Sequence, residues 1–243
     1  MAIAHFAARA LRKAARLIDP PDVIKTIDDD YLIWLKYVNA GMLDPGNLNL
    51  MDYAISNLPS NAPILEIGSF CGLSANVLTH LKRRRSKNNK LVTCDKWEFE
   101  NNSGSPIIPG STMPYLQIQK FVRESYLRNI QSFSSYDLPF TIEMNSDEFF
   151  AAWGAGQSTH DVLGRPIDLG GPLSFCYVDG NHTYEQSKRD YLQCDLLLQS
   201  SGFVLFDDSN LQRFGVSRLM PEIVSSQKYR LITSNPNHLF QKL

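Results

Sequence analysis

Asp179, His182, Asp207 and Asp208 stand within one stretch, LSFCYVDGNHTYEQSKRDYLQCDLLLQSSGFVLFDDSN, running from Leu173 to Asn210. Aspartates and a histidine at this density can hold a hard divalent cation through oxygen ligands and can move a proton near neutral pH. Whether they meet depends on the elements that carry them. The apolar run Leu173–Val178 is too short for a helix and is bounded by Gly-Pro and Asp-Gly, which predicts a buried strand. Tyr184, Tyr191, Cys194 and Leu198 then recur at helical spacing, with Gly202 at the predicted stop. Gly202–Phe206 is a second apolar run, ended by Asp207-Asp208. Two parallel strands joined by a helix carry their C-terminal ends side by side. The four residues are therefore expected at one edge of one sheet, where open α/β sheets bind ligands. Three carboxylates so close raise one another's pKa unless a cation lies between them. His182 has a second reading, as a turn residue capping the helix that begins near Thr183.

A second informative stretch is NAPILEIGSFCG, Asn61 to Gly72. Ile64–Ile67 reads as a short buried strand and Gly68-Ser69-Phe70-Cys71-Gly72 as a tight turn. Leu73, Val77, Leu78 and Leu81 then open an amphipathic helix. A glycine-bearing turn from strand to helix lets a ligand approach the backbone and points helix N–H groups at an anion. Its spacing is G-x-x-x-G rather than the G-x-G-x-x-G of dinucleotide folds. Lys82-Arg83-Arg84-Arg85 closes this helix, where the dipole favours cations. The next strand, LVTCD, ends in Asp95, an acid placed to take ribose hydroxyls, and the nearby Trp97 can stack on a base.

The other elements frame these two stretches. Val23, Ile27, Tyr31, Trp34, Val38 and Met42 form a helical stripe before the breaker Asp44-Pro45-Gly46; Leu48, Met51, Ile55 and Leu58 form another, stopped by Pro59. The two helices are expected to cover the site or to pair with a second copy of the chain. The aperiodic segment from Glu100 to Pro114 has the length of a lid. A helix marked by Ile118, Phe121, Val122, Ser125 and Ile130 follows. Phe140–Met144 is the next strand, with Asn145-Ser146-Asp147 at its end and a short helix around Phe149. The glycine-rich segment from Trp153 to Gly171 reads as an insertion containing His160 and Asp161. Val216–Val224 reads as helix, and Tyr229–Thr233 with His238–Leu243 as a closing antiparallel hairpin.

Length and composition bound the rest. A chain of 243 residues with 43% hydrophobic residues supports one large domain with an appendage. The formal net charge of −1 gives no global reason to bind nucleic acid, and no apolar run approaches the ~20 residues that span a bilayer. Cys71, Cys94, Cys176 and Cys194 lie in or beside apolar runs without metal-type spacing, as reduced core residues of a cytoplasmic protein do. From Ile3 to Ile18 a basic amphipathic helix is expected. It serves either as an arm that packs on the chain itself or as a weak membrane-surface contact (residues 1–18).

With these residues in view, the chain from about Ala62 onward resembles a class I S-adenosylmethionine-dependent methyltransferase. ILEIGSFCG is similar to the first motif of that superfamily, VTCD to its second and MNSD to its adenine-contacting turn. YVDGNHTYE with LFDD resembles the metal-dependent O-methyltransferases, including the catechol type and the macrolide-sugar and cephalosporin-tailoring branch. Histidine stands at the position where the catechol type has lysine, and Asp208 where it has asparagine.

The resemblance implies a Rossmann-like α/β fold: a doubly wound seven-stranded sheet, mostly parallel, with one antiparallel strand in the C-terminal hairpin. Residues 1–60 would be an N-terminal helical extension that caps the site or mediates a homodimer. Residues 61–243 would be the S-adenosylmethionine-binding domain. It further implies that Gly68, Ser69, Phe70 and Gly72 wrap the methionine half of the cofactor, whose carboxylate faces Leu73-Ser74, and that Glu66 orients the turn. Asp95 and Trp97 would hold the ribose and base, Ser146 and Asp147 the adenine. Asp179, Asp207 and Asp208 would hold Mg²⁺ or a similar divalent cation, Asp179 also bordering the cofactor, with His182 as base toward a hydroxyl of a small-molecule or sugar acceptor. Two other classes fit parts of the pattern: a nicotinamide-dependent oxidoreductase, and a scaffold protein that binds the cofactor without turnover.

Overall fold

The computed structural model describes residues 25–99 and 111–243. Its centre is a run of short strands buried along their whole length: β1 (Ile64–Ile67), β2 (Leu91–Cys94) and β6 (Leu173–Val178). Continuous rather than alternating burial is what parallel strands covered on both faces require. With β3 (Phe140–Ile142), β7 (Leu198–Phe206), β8 (Tyr229–Ser234) and β9 (His238–Lys242) they form one seven-stranded sheet in the order β3-β2-β1-β6-β7-β9-β8. All pairs through β7 are parallel, and β9 joins antiparallel to both β7 and β8. This is the doubly wound sheet with one antiparallel hairpin expected from the sequence. Strand order reverses between β1 and β6, which opens a crevice at their C-terminal ends.

Alternate residues of each strand divide the core. Leu65, Ile67, Val92, Cys176, Val178, Val204 and Phe206 face α5 (Ser146–Gly154), α6 (Tyr184–Leu197) and α7 (Met220–Ser225). Ile64, Phe175, Tyr177, Phe203 and Leu205 face α1 (Asp30–Val38), α2 (Pro45–Ser56) and α3 (Leu73–Arg84). A third cluster gathers Trp97 and Ala75 against Ile118, Val122, Tyr126 and Ile130 of α4 (Tyr115–Phe133). Residues 158–168 form a two-stranded hairpin, β4 (Ser158–His160) and β5 (Pro166–Asp168), inside the glycine-rich insertion. No helix among the described residues is long and apolar enough to cross a membrane.

The helical extension shares the main core. Leu32, Leu35, Leu48, Leu50, Met51, Ala54 and Ile55 are buried there with strand residues. At ~1.5–3 kcal/mol for each large apolar side chain, this burial outweighs the partly exposed Arg84–Asp29 and Arg85–Asp52 pairs, worth ~0.2–1 kcal/mol each. The buried face of α1 differs from the predicted stripe. Asp29 caps the helix, accepting from Leu32 N at 3.1 Å, so Ile27 precedes it and Leu32 and Leu35 turn inward while Trp34, Val38 and Met42 are exposed. The expectations for Val23 and for the amphipathic segment before it lie outside the described residues, as does most of the predicted lid.

One further expectation is corrected. Helix α6 ends at Leu197 rather than near Gly202, because the chain enters β7 at Leu198 and reaches Gly202 through a local turn with Ser201 at φ 64°. The basic run closes α3 as expected, with Arg83, Arg84 and Arg85 exposed and Lys82 buried on Asp137; Arg83 lies over Tyr136, and Arg84 and Arg85 pair with Asp29 and Asp52.

The close approach of β1 and β6 depends on one residue. Gly68 has φ 80°, and a Cβ there would lie 2.1 Å from the carbonyl oxygen of Asp179. Neither backbone can yield without opening the sheet. Gly68→Ala is expected to destabilise the fold by more than ~3 kcal/mol, lowering Tm by more than ~6 °C; a melting curve within ~2 °C of the parent would contradict this packing.

Candidate active site

The C-terminal ends of β1, β2, β6 and β7 converge, and so do their polar residues. Tight turns at three of these ends put non-glycine residues in the left-handed region: Phe70 (φ 43°), Trp97 (φ 52°) and Asp208 (φ 51°). Such conformations cost of order 1–3 kcal/mol each and persist only where the surroundings fix them.

Asp95 fixes two of them. Its Oδ2 accepts from Ser69 N at 2.8 Å and Phe70 N at 2.9 Å, and its Oδ1 accepts from Trp97 N at 2.6 Å. Burial raises its pKa, and the hydrogen bonds from Ser69, Trp97 and Phe70 act against that rise. The glycine turn is thus held by Asp95. Glu66, expected to orient it, is fully buried on β1, and neither of its carboxylate oxygens has a hydrogen-bond partner among the described residues. Burial pushes its pKa well up, with the Ser74 hydroxyl acting the other way. Gly72 (φ 86°) opens α3 without a side-chain cap, leaving its first turn, Leu73-Ser74, facing the same crevice end of β1.

Trp97 departs from its expected place. Its ring is 1% exposed and packs on Tyr126 at 5.3 Å between centroids, and Nε1 donates to the carbonyl of Phe70 at 3.0 Å. It braces the turn and presents no open face to a base. Phe70 and Phe99, partly exposed and 6.0 Å apart, are the aromatic rings nearer the surface there.

At the tips of β6 and β7, Asp179, His182 and Asp207 each offer a ligand atom within 4.8 Å of the others. Asp208 stands on the far side of the imidazole: His182 Nε2 lies 3.3 Å from Asp179 Oδ1, and Nδ1 lies 3.2 Å from Asp208 Oδ2. The group that converges is therefore two aspartates and a histidine. The helix cap is Thr183, whose hydroxyl accepts from Gln186 N, so the capping reading of His182 does not hold. Burial works to lower the His182 pKa, but its hydrogen bonds to Asp179 and Asp208 outweigh burial and raise it above the ordinary imidazole value. Burial raises Asp207 well above the usual carboxylate range, and the Asp179 carboxylate raises it further.

Three neighbours that sequence reasoning missed fix this pair. Tyr177 OH donates to Asp179 Oδ2 at 3.0 Å; Asn237 Nδ2 donates to Asp207 Oδ1 at 2.9 Å; and Asn47 Nδ2 donates to the same oxygen. Asn47 and Asn237 sit 160 and 30 residues from Asp207, after the breaker Asp44-Pro45-Gly46 and in the turn Asn235-Pro236-Asn237, local signals that do not point to a distant carboxylate. Only Tyr177, two residues before Asp179 on the same strand face, was within reach of the strand pattern.

Ser146 and Asp147 open α5 at the end of β3, behind the Asn145 capping box. They are joined to α6 through Gln186, whose Nε2 lies 3.0 Å from Ser146 Oγ, 3.3 Å from Asp147 Oδ1 and 3.0 Å from Asp190 Oδ1. His160 lies exposed on the β4–β5 hairpin, while Asp161 is buried on Arg165. All four cysteines are free and buried.

Residues 65–209 match a family model described as a methyltransferase domain. No curated protein matches the chain by sequence. Among solved structures, an O-methyltransferase from Bacillus cereus in complex with SAH is 12% identical with a TM-score of 0.55, over 96% of this chain and 97% of that one. The O-methyltransferase TomG from Streptomyces achromogenes, involved in tomaymycin synthesis and in complex with SAM, is 14% identical with a TM-score of 0.54, over 94% and 96%. The SAH-bound methyltransferase PaMTH1 of Podospora anserina is 13% identical with a TM-score of 0.56, over 98% and 94%. At these identities the likeness is one of fold.

Asp190 gives this region a measurable titration. It is 1% exposed, Oδ2 has no partner among the described residues, and burial raises its pKa from 3.8 to about 6 against the pull of Ser146 and Gln186. A carboxyl whose folded pKa exceeds its unfolded one stabilises fully below pH 3.8, and that contribution is lost as pH rises through about 6. Asp190→Asn is therefore expected to be more stable than the parent at pH 8, by at most about 3 kcal/mol, with the gap closing toward pH 4. Urea unfolding at the two pH values measures it, and a gap independent of pH would refute the assignment.

Proposed function

The chain belongs to the methyltransferase-domain family and is an S-adenosylmethionine-dependent methyltransferase, and from that premise we propose a divalent-cation-assisted O-methyltransferase acting on a hydroxyl of a small-molecule or sugar-bearing acceptor. The observation that carries this reading is the meeting of Asp179, His182 and Asp207 at the strand tips next to the Gly68–Gly72 turn. The donor set fits a hard cation. Two adjacent carboxylates are set in a partly to fully buried position, no lysine or arginine pairs with either among the described residues, and burial with mutual repulsion raises Asp207. Solved structures of similar fold are O-methyltransferases, which supports the oxygen acceptor.

When bound, S-adenosylmethionine supplies the electrophilic sulfonium methyl. A Mg²⁺-like ion held by Asp179 and Asp207, with Asp208 close by, would supply positive charge at the acceptor oxygen. The chain's own residues do the remainder. Gly68–Gly72 and the first turn of α3, Leu73-Ser74, receive the methionine half, whose carboxylate suits unsatisfied helix N–H groups. Asp95, with a lone pair left on Oδ1, would take a ribose hydroxyl while it holds the turn. Ser146 and Asp147 take the adenine edge, steadied by Gln186. His182 would take the proton of the acceptor hydroxyl. Against the effect of burial, hydrogen bonds to Asp179 and Asp208 raise its pKa, so it takes up a proton more readily than a free imidazole. Most of the rate would come from proximity and orientation.

A nicotinamide-dependent oxidoreductase fits less well. The amides of Ser69 and Phe70, which a pyrophosphate would need, are already given to Asp95. A scaffold without turnover would bind the cofactor and show no dependence on the acidic tips.

Two outcomes test the proposal. Chelation by EDTA, or Asp179→Ala, should abolish methyl transfer to a hydroxyl acceptor, and transfer that continues unchanged would sink the cation. His182→Ala should reduce kcat by ~10²–10⁴ while calorimetric affinity for S-adenosylhomocysteine stays put, whereas Asp95→Ala should weaken that affinity; the opposite pattern would reverse the two roles.

A further inference from the structure

Asp207 Oδ1 accepts two amide N–H groups from parts of the chain far apart in sequence. Asn47 comes from the first turn of α2 and Asn237 from the β8–β9 turn. Both asparagines are almost fully buried, at 0% and 1% exposure. They are bound to each other as well, Asn237 Nδ2 donating to Asn47 Oδ1 at 3.0 Å. Asn235 ties the same two segments again: its side chain donates to the carbonyls of Gly46 at 3.2 Å and Lys25 at 2.7 Å, and accepts from Lys25 N at 2.8 Å. Asp44 closes the helix start by accepting from Gly46 N at 2.8 Å. The result is a clasp between the helical extension and the hairpin, with a strand-tip carboxylate at its centre.

A free carboxylate can rotate and offer either oxygen. An oxygen that already accepts two N–H bonds has its in-plane lone pairs taken, so the rotation of Asp207 is fixed and only the other oxygen stays open. Neutral amides achieve this without adding a positive charge that would compete with a cation, as lysine or arginine would. At Asp179, Tyr177 OH donates to Oδ2 at 3.0 Å, and Oδ1 lies 3.3 Å from His182 Nε2. The buried Asn237 Oδ1 has no partner among the described residues. Retaining an unmet acceptor in the core is destabilising, by ~1–3 kcal/mol, which points to a use for the asparagine other than stability.

We propose that Asn47 and Asn237 are positioning residues of the cation site, committing Asp207 to the ion through one oxygen so that the α2–hairpin clasp sets divalent-cation affinity. This rests on the cation reading given above and assigns the helical extension a part in it. Among the described residues neither side chain hydrogen-bonds to the Gly68–Gly72 turn, so their loss should separate ion binding from cofactor binding.

The experiment is calorimetric titration of the full chain with Mn²⁺ and, in separate cells, with S-adenosylhomocysteine in the presence of EDTA. Asn47→Ala and Asn237→Ala should each raise the Kd for Mn²⁺ by ~10–100-fold and leave the Kd for S-adenosylhomocysteine within about twofold, a change worth only ~0.4 kcal/mol. Equal Mn²⁺ affinity in parent and variants would overturn the proposal while leaving the cation reading intact. A parent chain that binds S-adenosylhomocysteine but no Mn²⁺ would overturn the cation reading itself, and the positioning role with it. Should an alanine variant fail to fold, Asn47→Ser and Asn237→Ser replace it, with the Mn²⁺-induced rise in Tm as the readout; a rise equal to the parent's counts against the proposal and a smaller one supports it.

Discussion

Two carboxylates held next to each other at the tips of parallel strands are the constraint to which the rest of this molecule answers. Asp207 is buried and Asp179 partly so, and like charges ~4 Å apart repel by about 4 kcal/mol at the effective dielectric of a protein surface. The β1–β6–β7 register leaves them no way to separate, since Ile67 pairs with Val178 and Val178 with Phe206. Relief has to come from what surrounds them. His182 lies against Asp179, Tyr177, Asn47 and Asn237 supply donors, and the Asp207 pKa is raised by burial first and by the Asp179 carboxylate next.

The same edge stores conformational strain, and the fold concentrates there the groups that hold it in place. Phe70 and Trp97 adopt left-handed backbone because Asp95 gives each of them an acceptor and because the Trp97 indole is locked between Tyr126 and the Phe70 carbonyl. Gly68 lets the Asp179 backbone come close enough for the two turns to share one crevice. The hydrophobic layers on both faces of the sheet supply the rigidity that such turns need, so the functional edge and the core are one mechanical unit.

An early helix and the last hairpin converge on that edge from opposite directions. Helix α2 reaches Asp207 from the extension side of the sheet and the β8–β9 turn reaches it from the last hairpin. A site assembled from strand tips, an early helix and a late turn forms only once the whole domain has closed. Its geometry therefore reports on the integrity of parts far from the cofactor turn.

The sequence by itself determined the sheet, the glycine turn and the acidic strand tips. Short buried runs such as ILEI and LSFCYV have no alternative that hides them as well, and a glycine or aspartate at a strand end is a local signal. The N-terminal side of β1, β2 and β6 and the antiparallel hairpin are legible for the same reason. Tertiary structure alone decided the partners of the polar groups. It turned Trp97 inward, gave the turn to Asp95 instead of Glu66, set Asp208 across His182 rather than beside Asp207, and brought Asn47 and Asn237 onto one carboxylate oxygen. Apolar periodicity specifies which face of an element is buried. It says nothing about which distant amide will meet a given oxygen, because that depends on how helices and turns separated by up to 160 residues pack once the core has formed.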